Sequence, residues 1–352
     1  IFLPPGYCGD YIRLQRRAKI IIIIKFSGKD LTHLIMTCTI AHHTFISVVM
    51  ATYNGMKYLA EQLDSIRTQT LIPDEVIISD DLSTDGTYKF CLDYIAEHEL
   101  KGWHVYQNEK NLGPGKNFRA AIAKAKGEYI FTCDQDDIWM PDKISSMVSV
   151  MEARPEINLL VSNYIAIKDG KKINVKLKNI DRDDGAVIQY RLSDCWLKTL
   201  RPGCTFCVRH EIAELFSVMD IETHIHDAML WKYALMSDSL YLLNRQMIYY
   251  RRHDSTATKQ FDRVIPTVQQ RIDSIDYEIS LCMKLLDGAE VLKMTLKNQK
   301  LLNDYVKFQK RRAKLLSRRN LFTAICFVML NFKYYPTTRN ALSDIYAMIF
   351  LK

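Results

Sequence analysis

A chain of 352 residues, 48% of them hydrophobic, can bury a full core in one large domain or two ordinary ones, which excludes a disordered protein. The net charge of +8 is uneven: six Lys or Arg stand against Asp10 and Asp30 in residues 1–50, and seven against Asp304 in residues 304–319. No run approaches the roughly 18 to 20 apolar residues of a membrane-spanning helix, no aromatic-basic groove pattern points to nucleic acid, and the nine cysteines show no framework spacing, which favours reduced thiols facing the cytosol.

Residues 1–44 read as an N-terminal extension without clear pattern, disordered or not native, and Met36, ten residues before the first strand, is the expected native start. Ile20–Ile24 is too short for a secretory signal and lacks its small-residue cleavage site. From Phe45 short strands alternate with helices, as in a mainly parallel sheet covered on both faces. Ile46–Ala51 is a buried strand, and Leu59, Leu63 and Ile66 mark the helix after it. Val76–Ser79 is a second strand running into Asp80-Asp81. Ser83, Thr84 and Asp85 offer capping oxygens to a helix whose core face is expected at Tyr88, Cys91, Leu92 and Ile95. Trp103–Tyr106 is a third strand, Asn111–Gly115 a turn into a helix through Lys126, and Tyr129–Cys133 a fourth strand, with Pro141 in the first turn of the next helix. Residues 158–168 with Asp169-Gly170 predict a hairpin, Lys171–Gly185 a charged loop, and Arg201–Phe206 a turn and strand. His226–Met236, apolar nearly all round, is a buried helix, and Tyr241–Leu243 and Met247–Tyr250 read as two strands. After Val264, apolar positions at Val268, Ile272, Ile275, Ile279 and Leu286 predict a helical hairpin packed on the core, with a coiled-coil dimer as the other reading.

Ligands gather at the carboxyl ends of strands in such sheets. Those ends are Thr52-Tyr53-Asn54, Asp80-Asp81 and Asp134-Gln135-Asp136-Asp137. Carboxylates crowded as in the last string repel one another, and need solvent, raised pKa values or a hard cation such as Mg2+ or Mn2+. Alone, the string also fits a solvated acidic turn or an incomplete calcium loop. With the other two ends it points to a metal-bound, phosphorylated ligand. Zinc is not expected, because Cys204-x-x-Cys207 lacks a second pair and His224-x-His226 a third ligand. Leu321–Leu330 directly follows the basic cluster, a pairing that suits adsorption to an anionic membrane face; an ordinary core helix with a solvated basic neighbour is the alternative.

The ordered motifs resemble glycosyltransferase family 2, the inverting sugar-nucleotide transferases of GT-A fold, and most of all its rhamnosyltransferase-like, polysaccharide-building branch. They are Ser47–Gly55, Ser79–Thr87, Asn111-Leu112-Gly113, Asp134–Asp142, Pro202–Thr205, His226-Asp227 and Tyr250–His253, running from about Ile46 to Ser255. The resemblance implies that Ala51, Thr52, Tyr53 and Asp81 form the nucleotide pocket, Tyr53 stacking on the base and Asp81 accepting from its ring N–H. Asp134 and Asp136 look like the D-x-D pair, Asp134 towards the ribose and Asp136 on a divalent cation (Mg2+ or Mn2+) that bridges the phosphates. Asp137 either joins them or caps the next helix. Asp227 is the implied base, or else the N-cap of the buried helix. His253 would join the metal, Arg251 and Arg252 would pair with phosphate, and Gly203, Cys204, Thr205 and His226 would line the acceptor side. His226 stands where many relatives carry Glu, and Leu82 where Gly or Asn is commoner.

The expectation is therefore an α/β protein with a GT-A sheet, Rossmann-like and doubly wound, at residues 45–260. Its nucleotide-binding half would be 45–142 and its acceptor half 143–260, followed by a helical, basic, membrane-associating region at 261–352. The resemblance implies a dTDP- or UDP-sugar donor carrying rhamnose or another hexose, and a saccharide or lipid-linked saccharide acceptor. The protein would sit in the cytoplasm, peripheral at the inner face of the membrane. A sugar-nucleotide nucleotidyltransferase is the rival enzyme, although residues 51–55 lack its Gly-rich, basic phosphate loop. A non-catalytic metal-binding scaffold with a degenerate transferase core is the rival outside catalysis.

Overall fold

The computed structural model describes residues 18–20, 40–175, 177, 179–219, 226–253, 267–318, 321–335 and 338–350; Met36, His224, Arg319, Cys8 and Cys38 lie outside them. The chain divides into two units, residues 1–45 and 46–352. In the first, β1 (Ala18–Ile20) pairs antiparallel with β2 (Ile40–His42).

The second unit is built on a ten-stranded sheet. Its parallel half runs β5 (Trp103–Gln107), β4 (Glu75–Asp80), β3 (Ile46–Thr52), β6 (Tyr129–Cys133). Beyond β6 the sense changes. Strand β11 (Phe206–Arg209) lies antiparallel between β6 and β8 (Leu159–Lys168), β12 (Leu240–Arg251) runs parallel to β8, and β10 (Val187–Gln189) closes that edge antiparallel. Two short strands, β7 (Ile138–Trp139) and β9 (Lys171–Lys172), add to β12 and β8, the latter through the expected Asp169-Gly170 hairpin.

Strands β3, β4 and β6 are apolar on both faces because helices cover both. Val49, Ile77 and Ile130 look into one layer with α3 (Pro114–Ile122), α6 (His210–Val218) and α7 (His226–Met236). Their neighbours Val48, Met50, Val76, Ile78 and Phe131 look into the other, with α1 (Met56–Arg67), α2 (Thr87–Glu97) and α4 (Lys143–Ala153). That alternation is the period-two pleat of a strand buried twice. A one-turn α5 (Leu192–Cys195) joins the first layer.

Several expectations need correction. The core face of α2 is Thr87, Cys91 and Tyr94, with Leu92 exposed, because the Tyr94 hydroxyl donates to Asp64 of α1 at 2.7 Å and turns the helix. Helix α3 stops at Ile122 rather than Lys126, since the Lys126 N–H is held by Glu75 and the Gly127 N–H by Ser47. Pro141 lies before α4, not in its first turn. The two strands expected at 241–243 and 247–250 are one, β12, which absorbs the polar Asn244–Gln246 through register shifts.

The expected hairpin is formed by α8 (Val268–Asp287), opened by a Thr267–Gln270 capping box, and α9 (Leu296–Arg318). Both contribute to the same apolar layer as α7. Two shorter helices follow, α10 (Leu321–Leu330) and α11 (Thr338–Phe350). No described helix is long and apolar enough to cross a membrane.

Candidate active site

Strands β3, β4 and β6 run parallel, so their carboxyl ends reach one edge of the sheet and bring residues 51–54, 80–81 and 134–137 together. Tyr53 is 49% exposed, its ring open for stacking, while Ala51 packs half-buried on the core. Thr52 is buried, its hydroxyl donating to Asp80 at 3.0 Å, so its side chain serves the loop beneath. The buried Asp81 carboxylate accepts three bonds of 2.8 Å, from Asn108 Nδ2, Leu112 N and Gly113 N. The Asn111-Leu112-Gly113 turn thus wraps this carboxylate. Of its four acceptor positions, roughly, one on Oδ2 is left, enough for a single ring N–H. Leu82, the unusual residue of that motif, adopts a left-handed φ of 63°, which is why Gly or Asn suits the position.

Gln135, between Asp134 and Asp136, clamps the loop after β3. Its side-chain amide accepts from Tyr53 N at 2.8 Å and donates to Tyr53 O at 3.0 Å. Gly55 sits so close to this amide that any Cβ there would collide with it.

At the end of β6 the carboxylates are short of donors. Burial, then the charges of Asp136 and Asp227, raises Asp134 to about 7. Asp137 is fully buried, and its burial followed by Asp136 and Asp134 holds its pKa well above the carboxylate range. One Asp137 oxygen accepts the Arg251 N–H at 2.9 Å; the other finds no N–H or O–H donor. Asp137 does not cap α4, whose N-cap is Asp142. Asp136 meets His253, Nε2 to Oδ2, at 2.6 Å. Beneath the string lies Lys143, buried, its ammonium on the Cys204 carbonyl at 2.6 Å and 3.6 Å from the Trp139 ring centroid. Burial lowers its pKa to about 8.

Gly203, Cys204 and Thr205 form a 3-10 turn before β11, fixed to β6 by the Thr132 hydroxyl on Gly203 O at 2.6 Å. Gly203 allows α7 to approach: a Cβ there would lie 2.6 Å from His226 Nε2 and 3.1 Å from Asp227 Cβ. His226 stacks on Phe118 with centroids 3.6 Å apart, its Nε2 is buried without partner, and burial lowers its pKa to about 4, so the ring is neutral. Asp227 lies in the first described turn of α7, accepting the Ala228 N–H at 2.6 Å, and is near enough to raise the Asp134 pKa. Cys204 and Thr205 are fully buried and present no side chain to solvent; Thr205 Oγ1 donates to Pro202 O. The sulfur of Cys204 instead faces Asp134 and Asp137, all three offering atoms within 4.8 Å of one another.

The two arginines at the end of β12 diverge. Arg251 is tied to Glu61 at 2.6 Å, to Asp136 O at 2.9 Å and over the Tyr58 ring at 4.3 Å. Arg252 lies over Tyr250 with its Nε buried and unpartnered. Arg251 alone carries the chain back onto α1 and the acidic string; the Arg252 N–H bonds Ile167 O of β8 at 2.8 Å.

The donor set fits a hard divalent cation. Carboxylate oxygens of Asp134 and Asp137 converge here beside the Cys204 sulfur, and Asp136 stands paired with His253, oxygen and imidazole donors of the kinds such a cation takes; the Asp137 oxygen without an N–H or O–H donor marks a local excess of negative charge. Burial, then Asp137 and Asp134, drives the Cys204 thiol well above its ordinary pKa in the metal-free protein, and a hard cation prefers the carboxylate oxygens to its sulfur. Sequence reasoning missed Gln135 and Lys143. The available signals were a polar amide between two site carboxylates, and a lysine four residues after a tryptophan.

The profile of glycosyl transferase family 2 matches residues 47–216. The dTDP-rhamnosyl transferase RfbG of Shigella flexneri is 31% identical over 217 residues, 58% of this chain and 72% of that protein. An uncharacterized protein of Mycobacterium bovis is 36% identical over 130 residues, and the chain spans only 37% of its length. Among solved structures, S. aureus TarS 1-349 in complex with UDP-GlcNAc has a TM-score of 0.55 at 18% identity, covering 87% of this chain and 81% of that one, a likeness of fold. With a relative above 30% identity covered over nearly three quarters of its length, the chain belongs to glycosyl transferase family 2, with the GT-A fold and the rhamnosyltransferase-like character of that branch.

Proposed function

We propose that this glycosyltransferase is metal-dependent and inverting, and moves rhamnose or another hexose from a dTDP- or UDP-sugar to a hydroxyl of a growing cell-surface polysaccharide or lipid-linked saccharide. It would work peripherally at the inner face of the cytoplasmic membrane. The single observation carrying the chemistry is the meeting of donor-poor carboxylates at the end of β6 with Asp227 on α7, close enough to perturb Asp134. The rhamnosyl transferase relative, whose name specifies dTDP, and the UDP-GlcNAc complex of the fold relative support a nucleotide-sugar donor.

Tyr53 stacks on the base and Asp81 takes its ring N–H with the acceptor position left on Oδ2. Asp134, Asp136 and His253 would hold a Mg2+ or Mn2+ ion, which when bound stabilises charge on the leaving diphosphate as a Lewis acid. Arg251 and Arg252 would offer the phosphates charged donors. Inversion requires the acceptor hydroxyl to attack the anomeric carbon from the face opposite the leaving phosphate. Asp227 accepts that proton as the bond forms.

The experiment is a panel of dTDP-rhamnose, UDP-glucose, UDP-galactose, UDP-N-acetylglucosamine and GDP-mannose, scored for hydrolysis or transfer with and without Mg2+ or Mn2+. Turnover of a dTDP- or UDP-sugar that chelation stops is the expected result. Turnover unchanged by chelation, or of none of the five, overturns the proposal.

A further inference from the structure

Helices α10 and α11 are amphipathic the wrong way round for water. On α10 the exposed side chains Phe322, Ile325, Met329 and Leu330 recur at helical spacing, Phe322 being 78% and Leu330 82% exposed. On α11 the exposed stripe is Leu342, Tyr346, Ile349 and Phe350. The opposite faces anchor both helices to α9: Phe327 stacks on Phe308 at 5.4 Å, and the buried Asp344 pairs with Arg312 at 2.6 Å while accepting the Tyr335 hydroxyl. The two helices also pack on each other. A solvated helix puts its polar side outward; here two neighbours put apolar side chains there. Contiguous apolar surface of this kind marks a place of contact.

Charge selects the partner. Between residues 305 and 350 the sequence holds nine Lys or Arg and a single acid, Asp344, which is internal. Lys310, Arg311 and Lys314 on α9, which both helices pack against, Lys333 in the connecting turn and Arg339 on α11 are exposed. A second copy would bring the same cationic rim against it, and like charges oppose association. An anionic lipid bilayer brings the opposite charge together with an apolar interior, the two signals that stable surface attachment needs.

We infer that α10 and α11 form a monotopic docking face, which lays Phe322, Met329, Leu330, Leu342, Ile349 and Phe350 into the headgroup boundary of an anionic bilayer while the basic rim meets lipid phosphate. This deepens, and rests on, the peripheral location proposed above, and owes nothing to the chemistry of the acidic cleft. The test therefore uses the full chain and vesicles without donor or acceptor.

Co-sedimentation is measured with vesicles of phosphatidylcholine alone and of phosphatidylcholine mixed with phosphatidylglycerol. The expected partition is about tenfold or more tighter on the anionic vesicles, weakening with added salt. The Met329→Glu/Ile349→Glu double variant, and separately Lys310→Glu/Arg311→Glu/Lys314→Glu, should each lose most of it, with helicity checked by circular dichroism. Should the first variant misfold, Phe322→Ser at the outermost position carries the same test. Equal binding to both vesicle types, unchanged binding by the folded variants, or a concentration-dependent dimer that the substitutions dissolve without any vesicle binding would each overturn the inference. A sugar transferase that fails on vesicles loses this face and the peripheral location but keeps the transferase chemistry, and a vesicle binder inert on every sugar donor loses only that chemistry.

Discussion

Two acidic groups stand at the carboxyl edge of the sheet, on either side of β3, and are built on opposite principles. At the end of β4, Asp80 accepts from Thr52, from the N–H and hydroxyl of Ser83 and from Gln107, and Asp81 from Asn108, Leu112 and Gly113. At the end of β6, Asp137 has an oxygen with no N–H or O–H donor and Asp134 is raised to about 7. Carboxylates rich in donors are settled by their hydrogen bonds and shape a loop. Those poor in donors carry a burial cost that the cation proposed above would relieve.

The largest expected effects lie in the donor-poor group and its neighbour. Asp227→Asn should lower kcat by about 10^2 to 10^4 while leaving nucleotide affinity unchanged by calorimetry, as loss of a general base does. Asp136→Ala should depress both turnover and affinity. Full turnover in Asp136→Ala would break the contrast with β4. Stability sharpens it next: Asp81→Asn removes a charged acceptor from three donors and should cost about 1.5–3 kcal/mol or more in urea denaturation, whereas Asp134→Asn should leave the metal-free protein equally or more stable. If both lowered stability alike, the two groups would be of one kind.

The pH dependence of folding comes third. With its folded pKa raised to about 7 from the ordinary 3.8, Asp134 binds more protons folded than unfolded between those values. Its stability contribution is therefore present at low pH and lost as pH rises through 7. The melting temperature of chelated protein should fall between pH 6 and pH 8 by a few degrees, roughly, and saturating Mg2+ or Mn2+ should remove that slope. The smallest effect is at Gln135. Gln135→Leu should raise the donor KM roughly five- to tenfold with kcat nearly kept, two lost hydrogen bonds to the Tyr53 backbone.

Much of this was legible in the residues because it is periodic or local. The strands of the parallel half, the hairpin at Asp169-Gly170, the buried α7 and the α8–α9 pair follow from apolar spacing and turn chemistry. What was not legible depends on partners distant in sequence. Tyr94 replaced Leu92 in the core because of Asp64, and β12 ran unbroken because bulges took up Asn244–Gln246. The approach of Asp136 and Asp227 to Asp134 was foreshadowed by motif order. That the Cys204 sulfur would face carboxylates depends on how the 3-10 turn seats on β6, a tertiary fact with no local signature.

The amide bridge from Gln135 to Tyr53, with Gly55 pressed beneath it, has a bearing on protein engineering. A designer who grafts another transferase's 51–55 segment to change base preference would inherit a mismatch eighty residues downstream unless position 135 travels with it. The interchangeable cassette in this scaffold is therefore discontinuous, a loop and its distant latch, and libraries that randomise only one of the two should return mostly loose, low-affinity variants.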